Sequence, residues 1–179
     1  MILLYAGSAS GKSHIAEDMA VNIAKRRGTG LIYIATMEAN SDAAKARIKK
    51  HRAAREGKGF YTIEEPYRLV THAFSVRNKT VLLECVATYC SNVYYKNKGS
   101  QIASTNEIYE MADDIVTQIL KLKENAYELV IVTNNLFDDG VKYDEWTESY
   151  LKLLAIVNSN LAKECDRFFE VSNGLLIEY

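Results

Sequence analysis

The sequence predicts an α/β fold, a three-layer sandwich built on a mostly parallel sheet and finished by a C-terminal antiparallel hairpin. Three observations predict it. Short apolar runs alternate along the chain with stretches of helical periodicity, the pattern of strands joined by crossover helices. The first run, Met1-Ile2-Leu3-Leu4-Tyr5, passes directly into Ala6-Gly7-Ser8-Ala9-Ser10-Gly11-Lys12-Ser13 and then into a helix. That is the strand–loop–helix setting of a phosphate-binding loop. The last two runs, Phe168–Ser172 and Leu175–Glu178, are separated only by Asn173-Gly174, a tight hairpin turn. The fold class expected is therefore P-loop NTPase-like.

The elements follow in order. The opening strand leads through the loop to a helix near Lys12–Arg27, with Ile15, Met19 and Ile23 at helical spacing. Leu31–Thr36, rich in isoleucine and aromatic residues and bounded by Gly30, reads as a second strand. Asp42–Arg55 reads as a basic helix capped by Ser41 or Asp42. Phe60–Ile63 suits a short strand and Tyr67–Val76 a helix. Thr80–Leu83 is a buried strand that ends in Glu84. Glu107–Leu122 carries Ile108, Met111, Ile115, Ile119 and Leu122 at helical spacing, and Leu129–Thr133 is a further buried strand. Glu145–Lys163 is helical, with Trp146, Tyr150, Leu153, Val157 and Leu161 on one stripe. Ligands of such a sheet gather at the carboxyl ends of its strands. That rule brings Glu84 and Thr133-Asn134 to the phosphate loop.

Bulk properties narrow the function classes. A chain of 179 residues suits one domain, residues 1–179, with a full core. A net charge of −1 argues against a dedicated nucleic-acid binder. The chain has no apolar run long enough for a membrane span, and its opening apolar segment runs straight into Gly and Ser, unlike a signal peptide. Cys85, Cys90 and Cys165 are an odd, scattered set. They read as buried thiols of a reducing compartment, not as disulfides or a metal cluster. The cytoplasm is the expected location.

The phosphate loop carries the first candidate site. Ala6 stands where the motif usually has its first glycine. The small residues Gly7, Ser8, Ala9, Ser10 and Gly11 let backbone N–H groups close around phosphate oxygens. Lys12 would reach the β- and γ-phosphates, and the Ser13 hydroxyl would ligate Mg²⁺. The helix that follows points its positive dipole end at the same phosphates. Such a site needs an acid to organise the metal's water shell, and Glu84 at its strand end supplies one, as a Walker-B acid with Glu in place of Asp. The plain alternative is a solvated strand-end carboxylate. Thr133 and Asn134 hold an equivalent position, where they would sense phosphate or substrate, or merely form a turn.

The basic helix carries the second. Arg47, His51 and Arg55 fall at i, i+4 and i+8 and so share a face. Flanking cations disfavour protonation of an imidazole. A neutral histidine beside phosphate-binding arginines is a candidate nucleophile toward a nucleotide α-phosphate; a solvated basic helix is the alternative. His14 lies on the first helix beside the loop, and His72 suits packing or capping.

These residues together resemble a known family, the bifunctional adenosylcobinamide kinase/adenosylcobinamide-phosphate guanylyltransferases of cobalamin biosynthesis. The resemblance runs nearly end to end: the P-loop, Tyr33-Ile34-Ala35-Thr36, Ala46-Arg47-Ile48 followed by His51, Leu82-Leu83-Glu84-Cys85 with Asn92 downstream, Val132-Thr133-Asn134, Val157-Asn158 with Leu161-Ala162, and the closing hairpin. It implies two reactions. A nucleoside triphosphate, ATP or GTP, phosphorylates the aminopropanol hydroxyl of the corrinoid. GTP then transfers GMP to that phosphate and releases pyrophosphate. It further implies that His51 carries GMP covalently, that Thr36, Arg47, Arg55, Thr133 and Asn134 help to bind nucleotide, and that the chain forms a homotrimer with sites near subunit interfaces. The sequence departs from the family after Asn134. Asn135-Leu136-Phe137-Asp138-Asp139-Gly140 replaces a Glu followed by a Gly-containing loop, and Glu145–Lys152 contains no Arg. Two other functions therefore stand beside the bifunctional one. One is a small-molecule kinase without guanylyl transfer, for which the acidic Phe137–Glu148 stretch is a poor lid. The other is a GTP-binding sensor without turnover.

Overall fold

The structure, a computed structural model, describes residues 1–137, 140–172 and 174–179; Asp138 and Asp139 of the divergent segment and Asn173 of the hairpin turn lie outside the described residues. The chain runs β1 (Ile2–Ala6), α1 (Lys12–Arg27), β2 (Leu31–Ala35), α2 (Asp42–Arg55), β3 (Tyr61–Glu64), a 3₁₀ turn (Leu69–His72), β4 (Thr80–Glu84), α3 (Val86–Lys98), α4 (Thr105–Asn125), β5 (Glu128–Asn134), α5 (Glu145–Glu164), β6 (Arg167–Ser172) and β7 (Leu175–Glu178). Among the described residues these strands form one seven-stranded sheet in the order β3-β2-β4-β5-β1-β6-β7. Every pairing is parallel except β6 with β7. The mostly parallel sheet and the antiparallel edge are both as expected.

Strand alternation creates the layers. Successive side chains point to opposite faces. Ile2, Leu4, Tyr33, Leu82, Val130 and Val132 pack with Ala16, Ala20 and Ile23 of α1 on one face. Leu3, Ile34, Leu83 and Ile131 pack on the other with residues of α3, α4 and α5, including Tyr89, Ile115, Ile119 and Leu153. Strands buried on both faces need apolar residues at every position, which is why β1, β4 and β5 read as continuous apolar runs. Ile119 is fully buried in the larger core. Ile119→Ala should lower the unfolding free energy by about 2–5 kcal/mol, read as a lower urea midpoint at unchanged slope.

Two elements differ from the sequence reading. The helix expected over Tyr67–Val76 shrinks to the 3₁₀ turn, because the Glu65 carboxylate accepts the N–H groups of Tyr67 and Arg68 at 2.8 Å and holds the chain in a turn that buries Leu69. Helix α3 was not anticipated. Its buried Val86, Tyr89, Cys90, Val93 and Tyr94 nonetheless recur at helical spacing. Among the described residues no helix is long and apolar enough to cross a membrane. The three cysteines are free thiols; Cys90 is buried, and Cys85 and Cys165 are partly so.

Candidate active site

Strand β1 lies inside the sheet between β5 and β6, so the loop that follows it opens at the carboxyl ends of the strands. Gly11 caps α1 at φ +84°, a left-handed conformation that glycine adopts without strain. Ala9 is also left-handed, at φ +57°. Ser8 and Ala9 form the exposed rim, while Lys12 is only 8% exposed. Its Nζ donates to the Gly7 carbonyl at 3.0 Å, so the ammonium folds back across the loop. Burial pushes the Lys12 amine below its usual value, and Arg47 adds to this; Cys85 and Glu84 oppose it. Ser10 Oγ is buried with no hydrogen-bond partner among the described residues.

The expected acid is in place. Parallel pairing of β4 with β2 and β5 delivers Glu84 to the loop, and Ser13 Oγ donates to its Oε1. Its Oε2 accepts the Tyr33 hydroxyl at 3.0 Å. Burial, with Glu84 beside it, pushes the Tyr33 hydroxyl well above its usual value, so it remains a donor. Thr36 is fully buried, and its hydroxyl bridges the Cys85 carbonyl (2.9 Å) and N–H (2.8 Å), bracing the chain just after Glu84. Burial raises the Cys85 thiol, which leaves it protonated and a poor nucleophile.

On the other side of the loop, Ala6 pairs with Asn134, and Asn135 N–H donates to the Ala6 carbonyl at 2.8 Å. Thr133 is buried, and its hydroxyl donates to Asn158 Oδ1 at 2.7 Å. Asn134 Oδ1 and Asn158 Nδ2 are buried without hydrogen-bond partners among the described residues.

Helix α2 begins at Ser41, whose Oγ accepts from Ala44 N–H at 3.1 Å. It brings His51 to the phosphate loop of the same chain. One ligand atom from each of His51, Glu17 and Glu84 lies within 4.8 Å of the others. Arg47 is exposed, yet near enough to Lys12 to repel it. Arg55 is buried over the Tyr33 ring, its guanidinium carbon 3.5 Å from the centroid. The shared arginine face is thus corrected. Eight residues of helix turn about 80° past two full turns, so Arg55 rolls onto the body while Arg47 faces solvent. His51 then has two carboxylates among its neighbours, not arginines alone. His14 pairs with Asp18 at 3.3 Å and His72 with Glu65 at 3.1 Å, and neither histidine belongs to this cluster.

Sequence reasoning missed Tyr33 and Glu17. Tyr33 lies 51 residues from Glu84, and no spacing rule links them. Glu17 had a signal. It is 2% exposed on a helix face shared with Ala16, Ala20 and Ala24, where a lone carboxylate needs a partner. Lys58 supplies one at 2.8 Å. The oxygen-rich set of Ser13, Glu84 and Glu17 suits a hard divalent cation. A buried ammonium, a strand-end acid and a half-buried imidazole around one phosphate loop can transfer phosphoryl and nucleotidyl groups.

A family model described as cobinamide kinase / cobinamide phosphate guanyltransferase matches residues 2–179. The chain is 28% identical to the bifunctional adenosylcobalamin biosynthesis protein CobU of Escherichia coli strain K12, over 98% of this chain and 97% of that one. It is 24% identical to the bifunctional adenosylcobalamin biosynthesis protein CobP of Pseudomonas aeruginosa, over 97% and 93%. Among solved structures it resembles a prototypical ATPase of the type III secretion system of pathogenic bacteria, with a TM-score of 0.54 and 11% identity. That overlay covers 99% of this chain and 56% of the ATPase, and it shows the fold alone.

Proposed function

The chain belongs to the cobinamide kinase / cobinamide phosphate guanyltransferase family, and from that premise we propose how its residues divide two reactions. The domain of residues 1–179 phosphorylates adenosylcobinamide and then transfers GMP from GTP to the resulting phosphate. The observation that carries this reading is the convergence of His51 and Glu84 at one phosphate loop within a single chain.

In the first reaction the P-loop amides and Lys12 hold the β- and γ-phosphates of ATP or GTP. The corrinoid hydroxyl attacks the γ-phosphorus and gives its proton to solvent, the bond from that phosphorus to the bridging oxygen breaks, and the nucleoside diphosphate leaves. Lys12 is buried and preorganised, so its charge stabilises the transferring group more than a solvated lysine would. Ser13 and Glu84 would hold Mg²⁺, which when bound neutralises phosphate charge.

In the second reaction the His51 imidazole nitrogen attacks the α-phosphorus of GTP. A P–N bond forms, the bond to the bridging oxygen breaks, and pyrophosphate leaves. The corrinoid phosphate then attacks the same phosphorus and restores the imidazole. Arg47, exposed beside Lys12, offsets charge on the triphosphate. Asn134 borders the nucleotide from the end of β5; Thr36 and Thr133, fully buried and bonded within the protein, act through packing, as Arg55 does. The protein works in the cytoplasm as a homotrimer, on small-molecule substrates and not on nucleic acid.

Glu84→Gln tests the metal assignment. The amide keeps the shape but not the charge. Nucleotide binding should survive, the Mg²⁺ concentration for half-maximal rate should rise, and both transfers should slow by roughly 10–100-fold. A titration that overlays the wild type would make Glu84 a purely structural residue.

A further inference from the structure

Helix α2 carries His51 yet has almost no buried side chain of its own. Among the described residues Arg55 is the only one of this helix that is buried, at 7% exposed. A helix normally docks through an apolar stripe. This one docks through a guanidinium laid on an aromatic ring, 3.5 Å from the Tyr33 centroid. The ring is itself fixed, because Tyr33 is 3% exposed and Phe60 meets it edge-on at 5.8 Å. Arg55 Nε and Nη1 are buried with no hydrogen-bond acceptor among the described residues, so the ring face is what this charge meets. Burying a guanidinium carries a desolvation cost, and the attraction between cation and ring face offsets it only while the helix sits where the stack forms. The Tyr33 hydroxyl at the far end of that ring holds Glu84, and His51 lies one helical turn before Arg55.

Resting on the division of reactions above, we propose that Arg55 and Tyr33 are positioning residues. The stack of guanidinium on ring docks the helix that carries His51, and the same tyrosine's hydroxyl aims Glu84. One pair of side chains thereby fixes the nucleotidyl-accepting imidazole relative to the metal-facing carboxylate. The surface pair of Arg52 with Glu64, and Lys58 with Glu17 just beyond the helix, steady α2 from its flanks.

The test compares the full-length wild type with Arg55→Met, Arg55→Lys and Tyr33→Phe. Amide hydrogen exchange is followed over residues 42–55 and over the sheet, alongside the rate of GMP adduct formation from GTP. Arg55→Met should lose about tenfold or more of its protection across α2, with the sheet amides unmoved, and should form adduct about tenfold more slowly. Arg55→Lys keeps a cation over the ring and should recover part of both. Tyr33→Phe keeps the ring, so α2 protection should match the wild type while the Mg²⁺ requirement of phosphoryl transfer rises. Wild-type α2 protection or a wild-type adduct rate in Arg55→Met would overturn the proposal, as would an unchanged Mg²⁺ requirement in Tyr33→Phe. Should wild-type protein form no adduct at all, the guanylyl-transfer reading fails, and α2 protection together with the Mg²⁺ requirement still decides the positioning role. Should the sheet amides of Arg55→Met also exchange freely, Arg55→Lys decides in its place: protection and adduct rate both matching Arg55→Met overturn the proposal, and intermediate values support it.

Discussion

Lys12→Ala should abolish phosphoryl transfer while leaving the fold intact. The ammonium is buried within the loop and bonded to the Gly7 carbonyl. Burial already pushes its proton affinity down, so an incoming triphosphate meets a charge with little competing solvent. Removing a preorganised donor from such a site costs about 10²–10³ in rate, and here the whole ammonium goes. Steady-state turnover on protein shown to be folded by circular dichroism gives the readout. A rate near wild type would remove the P-loop from the mechanism, because no other lysine is placed in the loop.

His51→Ala should end guanylyl transfer to the corrinoid phosphate and retain phosphoryl transfer. The kinase step needs no protein nucleophile, whereas the proposed second transfer goes through the imidazole. The placement of His51 strengthens this expectation, since its ligand atom lies within 4.8 Å of those of Glu84 and Glu17 at the phosphate loop. A variant that still turns corrinoid phosphate into its GDP derivative would show direct attack on GTP, with no covalent stage. Phosphoryl transfer in a wild-type protein that never transfers GMP would instead leave a kinase alone, as the divergence after Asn134 allows.

The parts of this site legible in the sequence are those set by local spacing. Strand, loop and helix are contiguous from Met1 to Arg27, so Lys12 and Ser13 could be placed from the motif. Glu84 follows four buried positions of a strand, and parallel pairing leaves its end one place to go. Residues 42–55 form the helix foreseen, with Ser41 as its cap. What escaped was non-local or masked by propensity. Arg55 and Tyr33 meet only in the folded chain, where the guanidinium of α2 lies over a ring of β2, and helical spacing alone assigned Arg55 to the same face as Arg47. Helix α3 was hidden by Val, Thr, Tyr and Cys, residues that favour strands or are indifferent to helix. Its burial in the larger core overrides that preference. Asn92, on that helix, donates to the carbonyls of Thr36 and Pro66 at 2.7 and 3.2 Å. It therefore ties the end of β2 to the loop beyond β3, a link that no local pattern announces.

Whether the phosphate loop of one chain presents a histidine nucleophile to GTP is read by intact-protein and peptide mass spectrometry after incubation with GTP and Mg²⁺. Wild-type protein should carry a GMP adduct, labile in acid and stable in alkali as a phosphoramidate is, mapped to His51 and missing from His51→Ala. An adduct that persists in His51→Ala, or one mapped to His14 or His72, would contradict it.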